Sequence, residues 1–438
     1  MLDRDYRIGP IGRRLYSSFV EHLGRCVYGG IYEPGHPRAD AQGFRQDVRD
    51  LVRELRVGAL RYPGGNFVSG YDWRDGIGPR AERPVRLDYA WRSMEPNEIG
   101  IDEFCGYAAS VGGEVMYAVN MGTGTPQEAG YLVEYANFPS GSFYSDLRVK
   151  NGYRDPHGIK LWCVGNEMDG PWQTCSLDAR DYGKKALETA KIMKWVDPSI
   201  ELVVCGSSTS LQPSYPEWDR VVLEYTYDKV DYLSLHRYYE NLGNELDFLA
   251  SFHEMDGFIK TAAATADYVK ALKRSTRTMM LSFDEWNIWY QARTRLRQWE
   301  FAPPILEDHY SLLDAIVFGG LLCTLINNVD RVRIACLAQM VNVIAPILTE
   351  KGGGAIRQTI FYPFAMAARH CTGDALKVFS RAPALESAAY GEVPSVACAA
   401  SFDGERNEVA VLCVNISGET QAMELDLRSF GAAHWIEH

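Results

Sequence analysis

The sequence predicts an α/β protein, a closed (β/α)8 TIM barrel with a smaller all-β, sandwich-like domain. Between residues 17 and 373, eight short β-rich runs alternate with helix-length amphipathic segments. From residue 374 onward the pattern changes to alternating apolar and polar residues, which is typical of antiparallel strands. No Gly-x-Gly-x-x-Gly motif follows any of the eight runs, which disfavours the alternative of an open, doubly wound sheet.

The eight barrel strands are predicted where apolar and β-branched residues cluster between turn signals. In chain order they run over Ser18–Leu23, Gly58–Gly65, Glu114–Asn120, Ile159–Gly165, Glu201–Ser207, Val230–His236, Thr278–Glu285 and Arg331–Gln339. Between the first two, apolar residues at 44, 48, 51, 52 and 55 mark one face of a helix. Similar helical stretches are predicted around residues 101–111, 182–195, 261–273 and 308–326.

The region after the barrel predicts a separate β domain. Three stretches, "VPSVACAASF", "EVAVLCVNI" and "QAMELDLRSF", have the alternation of strands, and "DGERN" forms a turn between the first two. We therefore divide the chain into a barrel over residues 17–373 and a β domain over residues 374–438. Because so short a segment makes a thin sandwich, we expect residues 1–16 to contribute a strand to it.

Composition excludes several classes of partner. The net charge of -12 argues against nucleic acid, which needs a basic surface. The longest apolar stretch, Ala315–Ile326, is too short to cross a bilayer, and the N-terminus lacks a signal-peptide pattern, so we expect a cytoplasmic protein. The ten Cys and nine His show no zinc-like spacing, so we expect buried reduced thiols and no metal or cofactor.

Polar side chains follow nearly every predicted barrel strand, at the end where the active sites of such barrels lie. They are Glu21, His22, Asn66, Asn120, Asn166, Glu167, Ser207, Ser208, His236, Glu285 and Gln339. Glu167 ends the fourth strand and Glu285 the seventh, across the barrel, so the two carboxylates can flank one bond. Glycoside hydrolysis needs such a pair, whereas either Glu alone would be interpreted as a surface charge.

The motifs that carry these residues resemble the retaining α-L-arabinofuranosidases of glycoside hydrolase family 51. The resemblance includes "LRYPGGNFVSGYDW", "LWCVGNEMDGPWQ", "DEWNIWY" and "LAQMVNVIAPI", and it covers essentially the whole chain. It implies that Glu167 is the acid/base and Glu285 the nucleophile. It further implies that the arabinofuranose hydroxyls are held by Glu21, Asn66, Asn166 and Gln339. His236 and Tyr238 would support the two carboxylates, Trp91 and Trp289 would line the cleft, and Arg61 is a candidate partner that keeps Glu285 ionised.

The resemblance also implies a biochemical function. We expect an exo-acting enzyme that removes terminal arabinofuranose from arabinan, arabinoxylan or their oligosaccharides, assembled as a homo-oligomer, by resemblance a hexamer. Family members carry further strands beyond "DLRSFGAAHWIEH", so we expect an incomplete C-terminal domain. Two alternatives remain: an endo-β-glucanase or other glycosidase of the same clan, and a non-catalytic sugar-binding protein. The linkage preference stays open.

Overall fold

The computed structural model describes residues 1–291, 294–296 and 298–437. Eight parallel strands form a closed barrel in chain order, and the last strand pairs with the first. They are β1 (Ser17–Phe19), β2 (Ala59–Tyr62), β3 (Glu114–Ala118), β4 (Leu161–Val164), β5 (Glu201–Val204), β6 (Tyr232–Tyr239), β7 (Met280–Ile288) and β8 (Val332–Leu337). The predicted (β/α)8 fold class is confirmed, and each strand overlaps the run that predicted it.

Helices connect the strands and cover the outside of the barrel. They are Gln46–Leu55, Ile101–Val111, Pro126–Asn137, Phe143–Lys150, Ala179–Val196, Glu217–Thr226, Glu245–Leu249, Phe252–Lys273, Leu312–Asn327 and Phe361–His370. Five of them correspond to predicted helices. Pro126–Asn137 was not predicted, although Thr125 and Glu128 form a capping box at its start. No helix in the described part of the chain is both long and apolar enough to cross a membrane.

The barrel interior is packed rather than hollow. Phe19, Met116, Leu161 and Ile334 from four different strands belong to one buried apolar cluster. The Arg61 guanidinium carbon lies 4.7 Å from the centre of the Phe19 ring. A charged layer therefore rests directly on an apolar one, and the barrel presents a fixed platform beneath its carboxyl-terminal mouth.

The β domain is built on a four-stranded antiparallel sheet. Its strands, in spatial order, are Arg7–Pro10, Asp374–Leu376, Val396–Asp403 and Glu408–Asn415. Helix Leu312–Asn327 packs against one face, and Asn327 Nδ2 donates a hydrogen bond of 2.9 Å to the carbonyl oxygen of Cys398. A separate hairpin joins Ala384–Ser387 to Gly391–Pro394. The domain boundaries at residues 16 and 374 stay a prediction.

One predicted strand of this domain is wrong. Residues 421–427 form no strand, and a short 3-10 helix, Arg428–Phe430, follows them. Leu427 and Phe430 instead pack against a small apolar cluster that contains Leu2 and Phe402. The alternation of apolar and polar residues in this stretch therefore does not correspond to alternating burial, since Met423 is exposed and Leu427 and Phe430 are three residues apart.

Candidate active site

The chain leaves β4 through a left-handed turn that brings two polar side chains to the barrel mouth. Gly165 has φ of 99° and Glu167 has φ of 43°. Both Asn166 and Glu167 are buried. A non-glycine residue in this region of φ carries conformational strain, so the surrounding contacts must hold Glu167 in place.

Glu167 and Glu285 face each other across the mouth, with His236 between them. One carboxylate oxygen of each Glu and one ring nitrogen of His236 all lie within 4.8 Å of one another. His236 Nδ1 is 2.9 Å from Glu167 Oε1 and 3.6 Å from Glu285 Oε2. Tyr238 donates a hydrogen bond of 2.7 Å to Glu285 Oε2. The structure thus brings together both predicted carboxylates and both predicted supporting residues.

Arg61 ties three barrel strands together beneath this pair. Its Nη1 donates to Glu285 Oε1 at 2.7 Å and its Nη2 to Asn166 Oδ1 at 2.6 Å. Its Nε lies 3.3 Å from Asp284 Oδ2. Asp284 also accepts a hydrogen bond of 2.5 Å from the hydroxyl of Ser234. A single buried guanidinium therefore balances two adjacent buried carboxyl groups and orients the amide of Asn166.

Burial and these charges set the ionisation of the cluster. Burial raises the pKa of Glu285, and the positive charges of His236 and Arg61 oppose that rise without cancelling it. For Asp284, Arg61 and His236 outweigh burial and hold its pKa below the ordinary value. Burial lowers the pKa of His236, but Glu285, Asp284 and Glu167 together raise it to about 10. This pKa favours the protonated form of His236 at neutral pH, and Arg61 and His236 favour the ionised form of Glu285, although burial leaves the pKa of Glu285 above its ordinary value.

Glu167, His236 and Glu285 are also the cluster, among the described residues, whose spacing could hold a metal ion. A metal needs a neutral imidazole with a free nitrogen lone pair. A metal ion at this spacing would have to displace the proton that the neighbouring carboxylates favour on His236.

Glu21 forms a second polar centre with Trp91 and Gln339. Its carboxylate accepts hydrogen bonds from the Phe67 backbone N–H at 3.0 Å, from Trp91 Nε1 at 2.9 Å and from Gln339 Nε2 at 2.9 Å. A Cβ atom at Gly65 would lie 2.4 Å from Glu21 Oε2, so the close approach of the backbone requires glycine there. Three predicted binding residues therefore lie in one hydrogen-bonded group.

The remaining predicted residues complete the mouth. Asn166 Nδ2 lies 3.5 Å from Asn66 Oδ1 and 3.3 Å from Gln173 Oε1. The Trp289 ring packs edge-on against Tyr238 at 5.2 Å between centroids, next to the hydroxyl that contacts Glu285.

Several strand-end residues face their own loops rather than the shared cleft. Asn120 donates to Thr123 Oγ1 at 2.8 Å and accepts from the Gly124 backbone N–H at 3.1 Å, and the Ser207 backbone N–H donates to Asp219 at 2.7 Å. Their place at a strand end thus serves the turn that follows.

Comparison with known proteins identifies the family. The family model of the α-L-arabinofuranosidase 1 domain matches residues 51–258, and that of the α-L-arabinofuranosidase C-terminal domain matches residues 284–438. The intracellular exo-α-(1→5)-L-arabinofuranosidase of Halalkalibacterium halodurans is 53% identical over 100% of this chain and 89% of its own length. This chain belongs to the α-L-arabinofuranosidase family.

Two further members of the α-L-arabinofuranosidase family extend the comparison. An exo-α-(1→6)-L-arabinofuranosidase of Bifidobacterium longum is 49% identical over 96% of this chain and 83% of its own length. The solved structure of AbfB, a family 51 α-L-arabinofuranosidase from the same organism, superimposes with a TM-score of 0.92. It is 46% identical and covers 94% of this chain and 84% of its own. Both the barrel and the β domain thus have the architecture of glycoside hydrolase family 51.

Sequence reasoning missed three residues at the site of this arabinofuranosidase-family chain. Trp172, half-exposed, donates from Nε1 to Glu167 Oε2 at 2.6 Å, and Gln173 contacts Asn166. Both follow Glu167 in "NEMDGPWQ", so proximity was a usable signal. Asp284 carried no such signal, because strict alternation along a strand places its side chain on the opposite face of the sheet from that of Glu285. Register shifts between β7 and both of its neighbours bring both carboxyl groups into the cluster.

Replacing Glu21 by Gln should flatten the pH dependence of stability. Burial raises the pKa of Glu21 from its ordinary value of 4.5 to about 8. The folded state holds this proton more tightly, so the stabilisation is complete below about pH 4.5 and is lost as pH rises through about 8. Urea unfolding measured between about pH 4.5 and 8 should show that Glu21→Gln becomes more stable relative to wild type as pH rises. The gain in the free energy of unfolding is at most about 1.4 kcal/mol for each unit of the pKa shift.

Glu201→Gln is the matched control for this measurement. The pKa of Glu201 lies below its ordinary value, because bonds from Arg14 and Tyr232 outweigh burial. Glu201 therefore titrates at the acidic end of this pH range. The effect of Glu201→Gln on the free energy of unfolding should then be nearly constant at higher pH. A Glu21→Gln effect equally independent of pH would show that Glu21 is ionised in the folded protein at neutral pH.

Proposed function

We propose that this chain is a retaining, exo-acting α-L-arabinofuranosidase in which Glu285 is the nucleophile and Glu167 the acid/base. The observation that carries the proposal is that one carboxylate oxygen of Glu167 and one of Glu285 lie within 4.8 Å of each other. Retaining glycosidases separate the two carboxyl groups by about 5–5.5 Å, whereas inverting enzymes need about 6.5–9.5 Å to admit a water. The short approach supports direct attack by one carboxylate.

The environments of the two glutamates support their different roles. Both oxygens of Glu285 accept hydrogen bonds, from Arg61 and from Tyr238, which fix the carboxylate and favour its charged form. Both oxygens of Glu167 also have partners, His236 Nδ1 and the indole N–H of Trp172, and Trp172 is 50% exposed. Glu167 is therefore a buried carboxyl group that lies next to an exposed aromatic residue at the rim, where a leaving group can depart.

The reaction follows as a double displacement. Glu285 attacks the anomeric carbon while Glu167 donates its proton to the leaving oxygen, which gives a β-configured glycosyl-enzyme and a free alcohol. Ester formation removes the negative charge of Glu285, and Glu167, which has given up its proton, can now act as a base. A water then loses its proton to Glu167 and attacks the anomeric carbon, releasing α-L-arabinofuranose with Glu285 ionised again.

Sugar recognition falls to the polar groups around this pair. In the proposal Glu21, Asn66, Asn166 and Gln339 hold the hydroxyls of the arabinofuranose, and Trp91 and Trp289 shape its pocket. Glu21, Asn166 and Gln339 are buried and the other three residues are half-buried, so much of the set is ordered before substrate arrives, which reduces the cost of fixing it in the transition state. Such a small, enclosed set suits one terminal sugar better than the middle of a chain.

Replacing Asn166 by Ala should lower kcat more than it raises KM. Arg61 fixes the amide through Oδ1, so its Nδ2 can donate to a hydroxyl near the reacting carbon, where bonds strengthen in the transition state. Steady-state kinetics should show a loss in kcat of about 10²-fold. Asn120→Ala, at the end of β3, is the matched control and should change neither value appreciably. An effect of Asn166→Ala confined to KM would make it a passive contact.

The proposals for substrate class and location rest on the names of the relatives, and the proposal for assembly rests on family resemblance. Relatives about half identical are named for α-(1→5) and for α-(1→6) linkages, so we propose arabinose-containing oligosaccharides as substrates and assign no linkage. Because the first of these is named intracellular, we propose a cytoplasmic enzyme. A homo-oligomer, a hexamer by family resemblance, also stays a proposal.

A panel of aryl glycosides tests the proposed function. Turnover of the α-L-arabinofuranoside without turnover of the β-cellobioside is the expected result. The reverse preference would indicate an endo-β-glucanase of the same clan. Binding of arabinose without turnover of any glycoside would indicate a non-catalytic sugar-binding protein.

A further inference from the structure

Two cysteines of the β domain lie directly opposite each other on neighbouring strands. Cys398 on Val396–Asp403 is in register with Cys413 on Glu408–Asn415, and their Sγ atoms are 3.5 Å apart. Opposed Cα atoms of antiparallel strands are about 4.5 or 5.5 Å apart, and disulfides span about 4.4–6.8 Å between Cα atoms. The sulfurs can therefore reach bonding distance by side-chain rotation, while the strands stay in place.

The pair is accessible to small reagents. Ala397 and Ala399 belong to the core beneath the sheet, so strand alternation directs Cys398 to the opposite face. Cys413 is exposed there and Cys398 is partly exposed. By contrast, the fully buried thiols are Cys26, Cys163, Cys205, Cys323, Cys336 and Cys371.

Contact between the two thiols makes them chemically unequal. A hydrogen bond from Cys413 lowers the pKa of Cys398 below its ordinary value, and the same contact raises the pKa of Cys413. The thiolate is the nucleophile in disulfide exchange, so Cys398 is the residue prepared to attack first. Met423 Sδ lies 3.3 Å from Cys413 Sγ and covers one side of the pair.

We propose that Cys398 and Cys413 are a redox-active dithiol, which a low-molecular-weight disulfide converts reversibly to a cross-strand disulfide. The Cys398 thiolate attacks one sulfur of the reagent, forms a mixed disulfide and releases one thiolate. Cys413 then loses its proton and attacks the Cys398 sulfur, releasing the second thiolate. Two protein thiols are thereby oxidised, the reagent is reduced to two thiols, and no other oxidant is needed.

The test uses the full chain and oxidised glutathione as the probe. After incubation, free thiols are blocked with iodoacetamide and the digested protein is analysed by mass spectrometry without reduction. The expected result is one disulfide between the Cys398 and Cys413 peptides. The intact monomer should be lighter by two hydrogen atoms than the reduced protein. Dithiothreitol should restore both free thiols.

Matched variants sharpen the result. Cys398→Ser and Cys413→Ser should each leave the other thiol unbridged, whereas Cys175→Ser, at another exposed cysteine, should bridge like wild type. Met423→Leu should also bridge, because the thioether takes no part in the exchange. Stable glutathione adducts on both cysteines of the wild type, or a bridge between two chains, would overturn the proposal. So would loss of the bridge in Met423→Leu, since that would make the three sulfurs a unit, as in a site for a soft metal ion.

Discussion

Replacing Glu285 by Ala should lower kcat/KM by about 10⁴-fold or more on every arabinofuranoside, whatever its leaving group. At 25 °C this corresponds to a loss of about 5.4 kcal/mol of transition-state stabilisation. Without this carboxylate no glycosyl-enzyme forms, and Arg61 and Tyr238 lose the partner that they hold in place. Steady-state kinetics with a series of aryl arabinofuranosides would measure the uniform loss.

Azide distinguishes a missing nucleophile from a damaged fold. In Glu285→Ala the small anion can enter the vacated space and attack the anomeric carbon on the face opposite the leaving group. Turnover should partly recover, and the product should be the β-configured azide, identified by NMR. Glu254→Ala is the control, because Glu254 bonds Arg237 and Tyr239 of the same mouth but lies outside the catalytic cluster. It should show no response to azide.

How far the sequence predicted this site depends on what each residue needs from the fold. Glu167 and Glu285 end apolar runs, and the rule that barrel strands carry the active site at their carboxyl ends was enough to bring them together. Asp284 required knowledge of register shifts on both sides of β7, which depend on hydrogen bonding between strands rather than on local sequence. For this reason the pairing of Arg61 with Glu285 could be predicted, whereas its second carboxyl partner, Asp284, could not.

The fold shows the same division between local and non-local information. The barrel strands were predicted because most of their residues are buried and apolar, as is typical of parallel strands covered on both faces. Helix Pro126–Asn137 was missed although its capping box was visible at Thr125 and Glu128. The stretch 421–427 was predicted as part of a strand because apolar and polar residues alternate in it, but its burial does not alternate and Met423 is 56% exposed. Whether a neighbouring strand pairs with it is decided elsewhere in the chain.

Replacing Glu167 by Ala should make the rate depend strongly on the leaving group. A poor leaving group, such as a sugar hydroxyl, needs the proton of Glu167, so activity on arabino-oligosaccharides should fall by about 10³-fold. An activated aryl leaving group needs no proton, so the first step should survive and the glycosyl-enzyme should accumulate as a burst of released phenol. Asp169→Ala, two residues along and bonded to Ser208, is the matched control and should keep the wild-type leaving-group dependence.

The stereochemistry of azide products then separates the two glutamates. In Glu167→Ala, azide needs no general base and should attack the β-linked glycosyl-enzyme from the opposite face, giving the α-configured azide with net retention. Glu285→Ala should give the β-configured azide, so the two variants differ in a single NMR coupling pattern. The same anomer from both variants would contradict the assigned roles. Release of β-arabinofuranose as the first product of the wild type would contradict them as well. That product indicates inversion, in which water attacks the sugar directly, so Glu285 would not be a nucleophile although it lies within 4.8 Å of Glu167.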